Sequence, residues 1–162
     1  MRAEAIFEAL LLLMVANGAP LVAKQLLGQR FSYPVDCNVL FSDGSRLFGS
    51  SKTIRGLVAA VLATATVAIA LGMDWPVGVL VGAMAMTGDL FSSFIKRRLG
   101  MRSSSMALGL DQVPEALFPL TACRDWLSLG LLDIVIAVLL FFVGEIVLSR
   151  LCFAVGLRDR PY

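Results

Sequence analysis

Residues 75–100 read WPVGVLVGAMAMTGDLFSSFIKRRLG. The apolar run at 76–95 is close to the ~20 residues that cross a bilayer, and it stops at Lys96-Arg97-Arg98. Stretches of the same kind lie near 4–27, 56–73, 106–124 and 127–149. The sequence therefore predicts an all-α integral membrane protein of about five transmembrane helices with two cytoplasmic loops, residues 1–162 forming a single domain. Composition agrees: 58% of the residues are hydrophobic and 16% charged, with a mean hydropathy of +0.83. A soluble domain is about 45–50% apolar and about 25% charged, and a chain this short has no core large enough to hide the excess.

Tight turns join the second stretch to the third at Met73-Asp74-Trp75-Pro76 and the fourth to the fifth at Arg124-Asp125-Trp126. Each carries a tryptophan, a residue suited to the membrane–water interface. The first stretch has the look of a secretory signal, but Glu4 and Glu8 and the spans that follow argue for an uncleaved helix. Twelve of the 14 basic residues fall on one side of this arrangement; Arg2 and Arg124 fall on the other. The positive-inside rule then puts the amino terminus outside, and the 28–55 loop, the 96–106 loop and the carboxyl tail in the cytoplasm of a cell-membrane protein.

There is no histidine, which removes every Ser-His, Cys-His and His-metal mechanism. The odd, widely spaced Cys37, Cys123 and Cys152 fit neither a disulfide framework nor a zinc site and read as packing residues. Chemistry is left to carboxylates, hydroxyls, Lys, Arg or an oxygen-held metal.

Charge is costly in a membrane, so each charged residue near a span is a functional candidate. Asp89, Ser92, Ser93 and Lys96 stand at i, i+3, i+4 and i+7, one polar stripe on a helix. An acid, two hydroxyls and an amine on one face can hold a hydrated divalent cation together with a polyphosphate. Asp111 and Glu115 share a face of the fourth helix beside Pro114. If that face meets Asp89, the carboxylates form an oxygen-ligand site for Mg²⁺ just under the membrane surface. Alternatives stay open: Asp111 as a helix cap, Glu115 as a proton-sharing or solvated carboxylate, and Arg97 and Arg98 as a topology signal alone.

In SDGSRLFGSSKTIRG (42–56), Ser50 or Ser51 is placed to cap the second helix, with Lys52 and Arg55 in its first turn. Cations at a helix amino terminus oppose the dipole unless an anion sits there, which suggests a bound phosphate. The stretch is not a P-loop, because its lysine does not directly follow the second glycine and no strand precedes it. Asp133 and Glu145 in the last helix have no assigned role, and the basic tail GLRDRPY (156–162) suits lipid headgroups.

Taken together, NGAP (17–20), the DG, FG and KTIRG elements of 43–56, GDLFSSFIKRRLG (88–100), LDQ (110–112) and GLRDRPY (156–162) resemble the CDP-archaeol synthase family, relatives of the CDP-diacylglycerol synthases. The resemblance spans nearly the whole chain in matching order. It implies a five-helix membrane enzyme that moves CMP from CTP to a lipid phosphate (archaeal-type ether lipid phosphate or phosphatidate), releasing pyrophosphate, with Mg²⁺ as cofactor. It further implies that Asp89 and Asp111 are metal ligands, that Lys52, Arg55, Lys96 and Arg97 bind phosphate with Ser92 or Ser93 as a secondary contact, and that Asn17 and Pro20 line the pocket. Where the family continues LDQ with Leu-Asp-Phe, this chain has Val113-Pro114-Glu115. Either Glu115 substitutes as a metal ligand or metal occupancy differs. Membrane lipids are the expected surroundings, nucleic acid is not an expected partner, and a homodimer is compatible with the wider family. A small ion or proton transporter subunit would instead spread its acids across the membrane depth, and a CTP-dependent polyprenol kinase would leave CDP as product.

Overall fold

In the computed structural model, which describes residues 2–154, α1 (Ala3–Leu27) runs through the middle of the molecule. Around it stand α2 (Ile54–Ala70), α3 (Trp75–Arg98), α4 (Gln112–Ala122) and α5 (Leu131–Ala154), and α1 touches all four. Sequential helices pack side by side in the order α2, α3, α4, α5, and among the described residues α2 and α5 do not meet, so the ring is open. No strand forms among the described residues beyond two isolated bridges, Pro34 with Thr53 and Leu40 with Arg46.

The packing is that of a membrane protein. On α1, Ile6, Ala9, Leu12, Leu13 and Ala16 recur at helical spacing and are buried, while Phe7, Met14, Val22 and Leu26 are exposed. On α5, Ile134, Ala137 and Phe141 face inward and Leu139, Leu140 and Val143 outward. Helices apolar all round leave their outer faces for lipid. With lipid as the solvent, close approach must do the work that water exclusion does elsewhere, and small residues permit it. A Cβ on Gly78 would lie 2.4 Å from the Thr64 carbonyl oxygen, one on Gly82 2.3 Å from Thr64 Oγ1, and one on Gly88 2.3 Å from the Pro114 carbonyl oxygen. Glycines thus let α3 touch α2 on one side and α4 on the other.

Three helices, α1, α3 and α5, are long and apolar enough to span a bilayer. With 17 residues α2 reaches about 25 Å, and with 11 residues α4 reaches about 16 Å, roughly half of the ~30 Å hydrocarbon core. The expected fourth span at 106–124 is therefore corrected to a half-length helix. The cause lies in its first residues: Asp111 Oδ2 accepts from Ala107 N at 2.8 Å and Gln112 Oε1 from Gly109 N at 2.8 Å. These side chains hold a turn that competes with helix, and Gly109 supplies its φ of +82°. The start of α2 differs as well. Thr53, in extended conformation, is the N-cap and accepts from Gly56 N at 3.2 Å, so Lys52 precedes the helix and neither Ser50 nor Ser51 caps it.

On the basic face, the 28–53 segment is organised around a buried carboxylate that sequence reading did not single out. Asp36 forms an ion pair with Arg46 and accepts from the backbone N–H groups of Asn38, Phe48 and Gly49. Arg98 clasps the same segment from α3, with Asp43 at 3.1 Å and the Arg46 carbonyl at 2.8 Å, its guanidinium over the rings of Phe41 and Phe94. On the opposite face, Asp133 accepts from Gly130 N at 3.1 Å and from Arg2 N at 3.3 Å, which makes it a helix-start and terminus anchor. The tail at 156–162, with Arg158 and Arg160, lies outside the described residues.

Burial pushes the Asp36 carboxyl up, but the Arg46 guanidinium and the backbone donors outweigh it and hold its pKa at about 2, against an ordinary 3.8. A depressed carboxylate stabilises the fold fully above its ordinary value and loses that contribution as pH falls through its folded value. Resistance of the 36–49 segment to pepsin should accordingly persist down to about pH 4 and decline towards pH 2. In Asp36→Asn, trypsin should cut after Arg46 at least about tenfold faster at neutral pH, since charge-assisted hydrogen bonds contribute about 1.5–3 kcal/mol each. Equal cleavage of the two proteins would remove Asp36 as the organiser of this segment.

Candidate active site

Asp89 lies nine residues inside the carboxyl end of α3, about 14 Å down the helix axis. A bare carboxylate at that position would be expensive, and it is not bare: Lys52 Nζ sits 2.5 Å from Oδ1 and 2.6 Å from Oδ2. A second pair forms beside it. Lys96 Nζ is 2.6 Å from Asp111 Oδ1 and donates to the Ser105 carbonyl at 3.0 Å, while Asp111 Oδ2 holds the preceding turn. Glu115, buried on α4, lies within hydrogen-bonding reach of Asp89. Burial by itself pulls the Lys52 ammonium down; the Asp89 carboxylate, and after it Glu115, outweighs burial and keeps the lysine above its ordinary pKa and charged.

These groups line one cavity of ≈ 320 Å³, closed on the α1 side by Asn17 and Pro20. A neighbouring cavity of ≈ 340 Å³ shares Lys52, Asp89 and Pro20 with it and extends to Arg55. Residues from α1, α3, α4, α5 and both basic-face segments thus converge on a single polar space inside an apolar bundle.

Lys52, Asp89, Lys96, Asp111, Glu115, Asn17 and Pro20 are brought together. Arg55 reaches the rim, where its Nη1 donates to the carbonyls of Gly28 at 2.9 Å and Arg30 at 2.6 Å. Arg97 turns away from both cavities and donates to the Arg102 carbonyl at 2.7 Å. Ser92 and Ser93 are buried off the cavity, Ser92 Oγ donating to the Gly88 carbonyl at 2.7 Å. The expected polar stripe therefore contributes its two charged ends and not its hydroxyls, because Gly88 brings α4 against the serine side of the helix. Lys24, Gln112 and Glu145 also line the cavity. Lys24 was hidden among the topology-setting basic residues, and Gln112 stood inside the LDQ motif without an assigned role.

Carboxylate and amide oxygens are hard donors suited to Mg²⁺. Among the described residues no three acidic side chains close into a ready-made cage, since Asp89 and Asp111 each answer to a lysine. The donor set fits an ion that uses one or two carboxylates and takes its remaining ligands from water and substrate phosphates, the usual habit of Mg²⁺.

The family model for CarS-like CDP-archaeol synthases matches residues 3–162. A CDP-archaeol synthase of Sulfurisphaera tokodaii is 33% identical over 155 residues, covering 92% of this chain and 90% of that protein. One of Thermofilum pendens is 31% identical over 154 residues, covering 91% and 76%. Among solved structures, an intramembrane enzyme for archaeal membrane lipid biosynthesis superposes with a TM-score of 0.70 at 27% identity, covering 86% of this chain and 91% of that one.

Asp89→Asn and Asp111→Asn should each lower turnover by at least about 100-fold while the protein still elutes as a folded species, the scale expected when a preorganised electrostatic group is removed. Lys52→Ala should act mainly on the KM for the anionic substrates. Arg97→Ala should change turnover less than about threefold, because the side chain faces away from the cavity. Steady-state kinetics of the four variants checks the assignment, and near-normal turnover by Asp89→Asn would undo it.

Proposed function

Because the chain belongs to the CDP-archaeol synthase family, and is thereby a membrane-embedded cytidylyltransferase acting with CTP on a lipid phosphate, we propose that it carries out Mg²⁺-dependent transfer of CMP to an unsaturated archaeal-type ether lipid phosphate at the Lys52–Asp89 and Lys96–Asp111 pairs. The observation that carries this reading is the placement of three ammonium groups and four carboxyl groups around one cavity beneath the basic face, with Lys52 paired to Asp89 and Lys96 to Asp111.

In this reaction a lipid phosphate oxygen forms a bond to the α-phosphorus of CTP as the bond from that phosphorus to the β-phosphate bridging oxygen breaks, and pyrophosphate leaves. The nucleophile needs no protein base: a phosphate monoester has a second pKa of about 6 and is mostly ionised near neutrality. That is consistent with a site that has no histidine. The protein's task is positioning and charge neutralisation, which dominate phosphoryl-type transfer. Lys52 and Lys96 present their charge from fixed points, because Asp89 holds one, and Asp111 with the Ser105 carbonyl holds the other. Asp89 and Asp111 would hold the magnesium ion, which when bound supplies further positive charge at the triphosphate. Arg55 at the rim of the neighbouring cavity adds a cation along the approach.

The excess of basic residues on this face supports a cytoplasmic site and an external amino terminus in the cell membrane. Cys37, exposed on the same face, reports on that. In a variant retaining it as the one cysteine, a membrane-impermeant maleimide should label inside-out vesicles and not intact cells, and the reverse pattern would invert the topology.

Purified protein supplied with CTP, Mg²⁺ and an unsaturated ether lipid phosphate should release pyrophosphate and form the CDP-lipid, and chelation by EDTA should stop it. Phosphatidate in place of the ether lipid tests how far the site reads the tails. Absence of CDP-lipid with either substrate would overturn the reading, and CDP as product would point to a kinase.

A further inference from the structure

Between α1 and α5 lies a third cavity, of ≈ 170 Å³, whose walls are Met14, Val22, Phe141 and Leu148. It runs along α1 from Met14 to Gln25, about 16 Å of helix. Asn17 and Glu145 belong both to it and to the polar cavity, so the two spaces adjoin. Met14 and Val22 are also exposed on the outer surface of the bundle, the surface that faces lipid. A slot whose walls are mainly apolar, with Asn17, Gln25, Glu145 and Ser149 as its polar members, and that borders the bilayer and adjoins a cavity lined by lysines matches an amphiphile with an anionic head.

We propose that this slot seats one hydrocarbon chain of the lipid phosphate and feeds its headgroup past Asn17 to Lys52 and Lys96. The proposal rests on the transferase reading above and adds where the acceptor lies. Gly18 is central to it. This residue lines the slot, and a Cβ built on it meets nothing within 4 Å, so the space over it is empty of protein. The first carbon of a larger side chain there therefore enters the slot without striking a neighbouring helix. Gly144 on α5 has equally open surroundings but does not line the slot, which makes it the matched control.

The test uses the full-length protein in detergent and has two arms. Native mass spectrometry measures retention of a long-chain lipid phosphate whether or not turnover occurs. Gly18→Leu should lose at least about tenfold in retention, a difference of about 1.4 kcal/mol, and Gly144→Leu should match the wild type. Steady-state assays should show the KM for the long-chain acceptor raised by a similar factor in Gly18→Leu. The KM for CTP and the rate with a dihexanoyl lipid phosphate should stay at wild-type values. Leu148→Trp narrows the slot from its other wall and should reproduce the pattern if Gly18→Leu does not fold. Unchanged retention in both slot variants overturns the proposal even if the enzyme is active. Absent CDP-lipid formation by a wild type that still retains lipid through Gly18 overturns the transferase reading and leaves the slot standing.

Discussion

Two ammonium–carboxylate pairs placed below the membrane surface set the terms for the rest of this molecule. Taking a charge out of water costs several kcal/mol even after relaxation, so neither Asp89 nor Asp111 is tolerable at its depth without a cation at hand. Lys52 comes from the segment ahead of α2 and Lys96 from the same helix as Asp89, about two turns further on. Pairing therefore requires the 28–53 segment to be docked against α3 and the 99–111 segment to fold back over it. Asp36 and Arg98 do the first, Asp111 and Gln112 the second. The same pairs suit a site for polyphosphates, because each lysine is held where an incoming phosphate offers it a second anion. A buried pair of this kind is weak evidence for stability, and its retention is better explained by what it can bind.

The three consecutive cations Lys96, Arg97 and Arg98 show how one short motif is divided among tasks. Successive residues on a helix point about 100° apart, so only one can face the cavity. Lys96 does, Arg97 secures the segment after α3, and Arg98 secures the segment before α2. A cation that lines the cavity and two structural clasps occupy three adjacent positions.

How much of this was legible follows from the range of each interaction. Helix number and the membrane environment were readable because hydrophobic length is a local property, as in 76–95. The charged members of the site were readable because a carboxylate at depth, Asp89, has little use except to hold a cation. What escaped reading depended on tertiary placement. Ser92 and Ser93 look like ligands on a helical wheel, and only the contact between Gly88 and the backbone of Pro114 shows that their face is packed. Asp36 looks like any loop acid until the N–H groups of Phe48 and Gly49, more than ten residues away, turn towards it. The shortening of α4 turns on two side chains choosing backbone donors in a turn over continuing a helix, a competition too close for pattern to decide.

That shortened helix has an electrical consequence. Irregular backbone at membrane depth is tolerated only against protein or beside water, and the wall formed by residues 99–111 borders the polar cavity, a recess that Ser104, Ser105 and Asp111 line. A membrane potential falls mainly across low-dielectric material, and moving one elementary charge through its full drop costs about 2.3 kcal/mol per 100 mV. In this bundle the insulating part is thinned to the stretch between the recess and the opposite face. Charge that enters the recess from the basic face stays on the conducting side of that barrier, and an energised membrane leaves it unopposed.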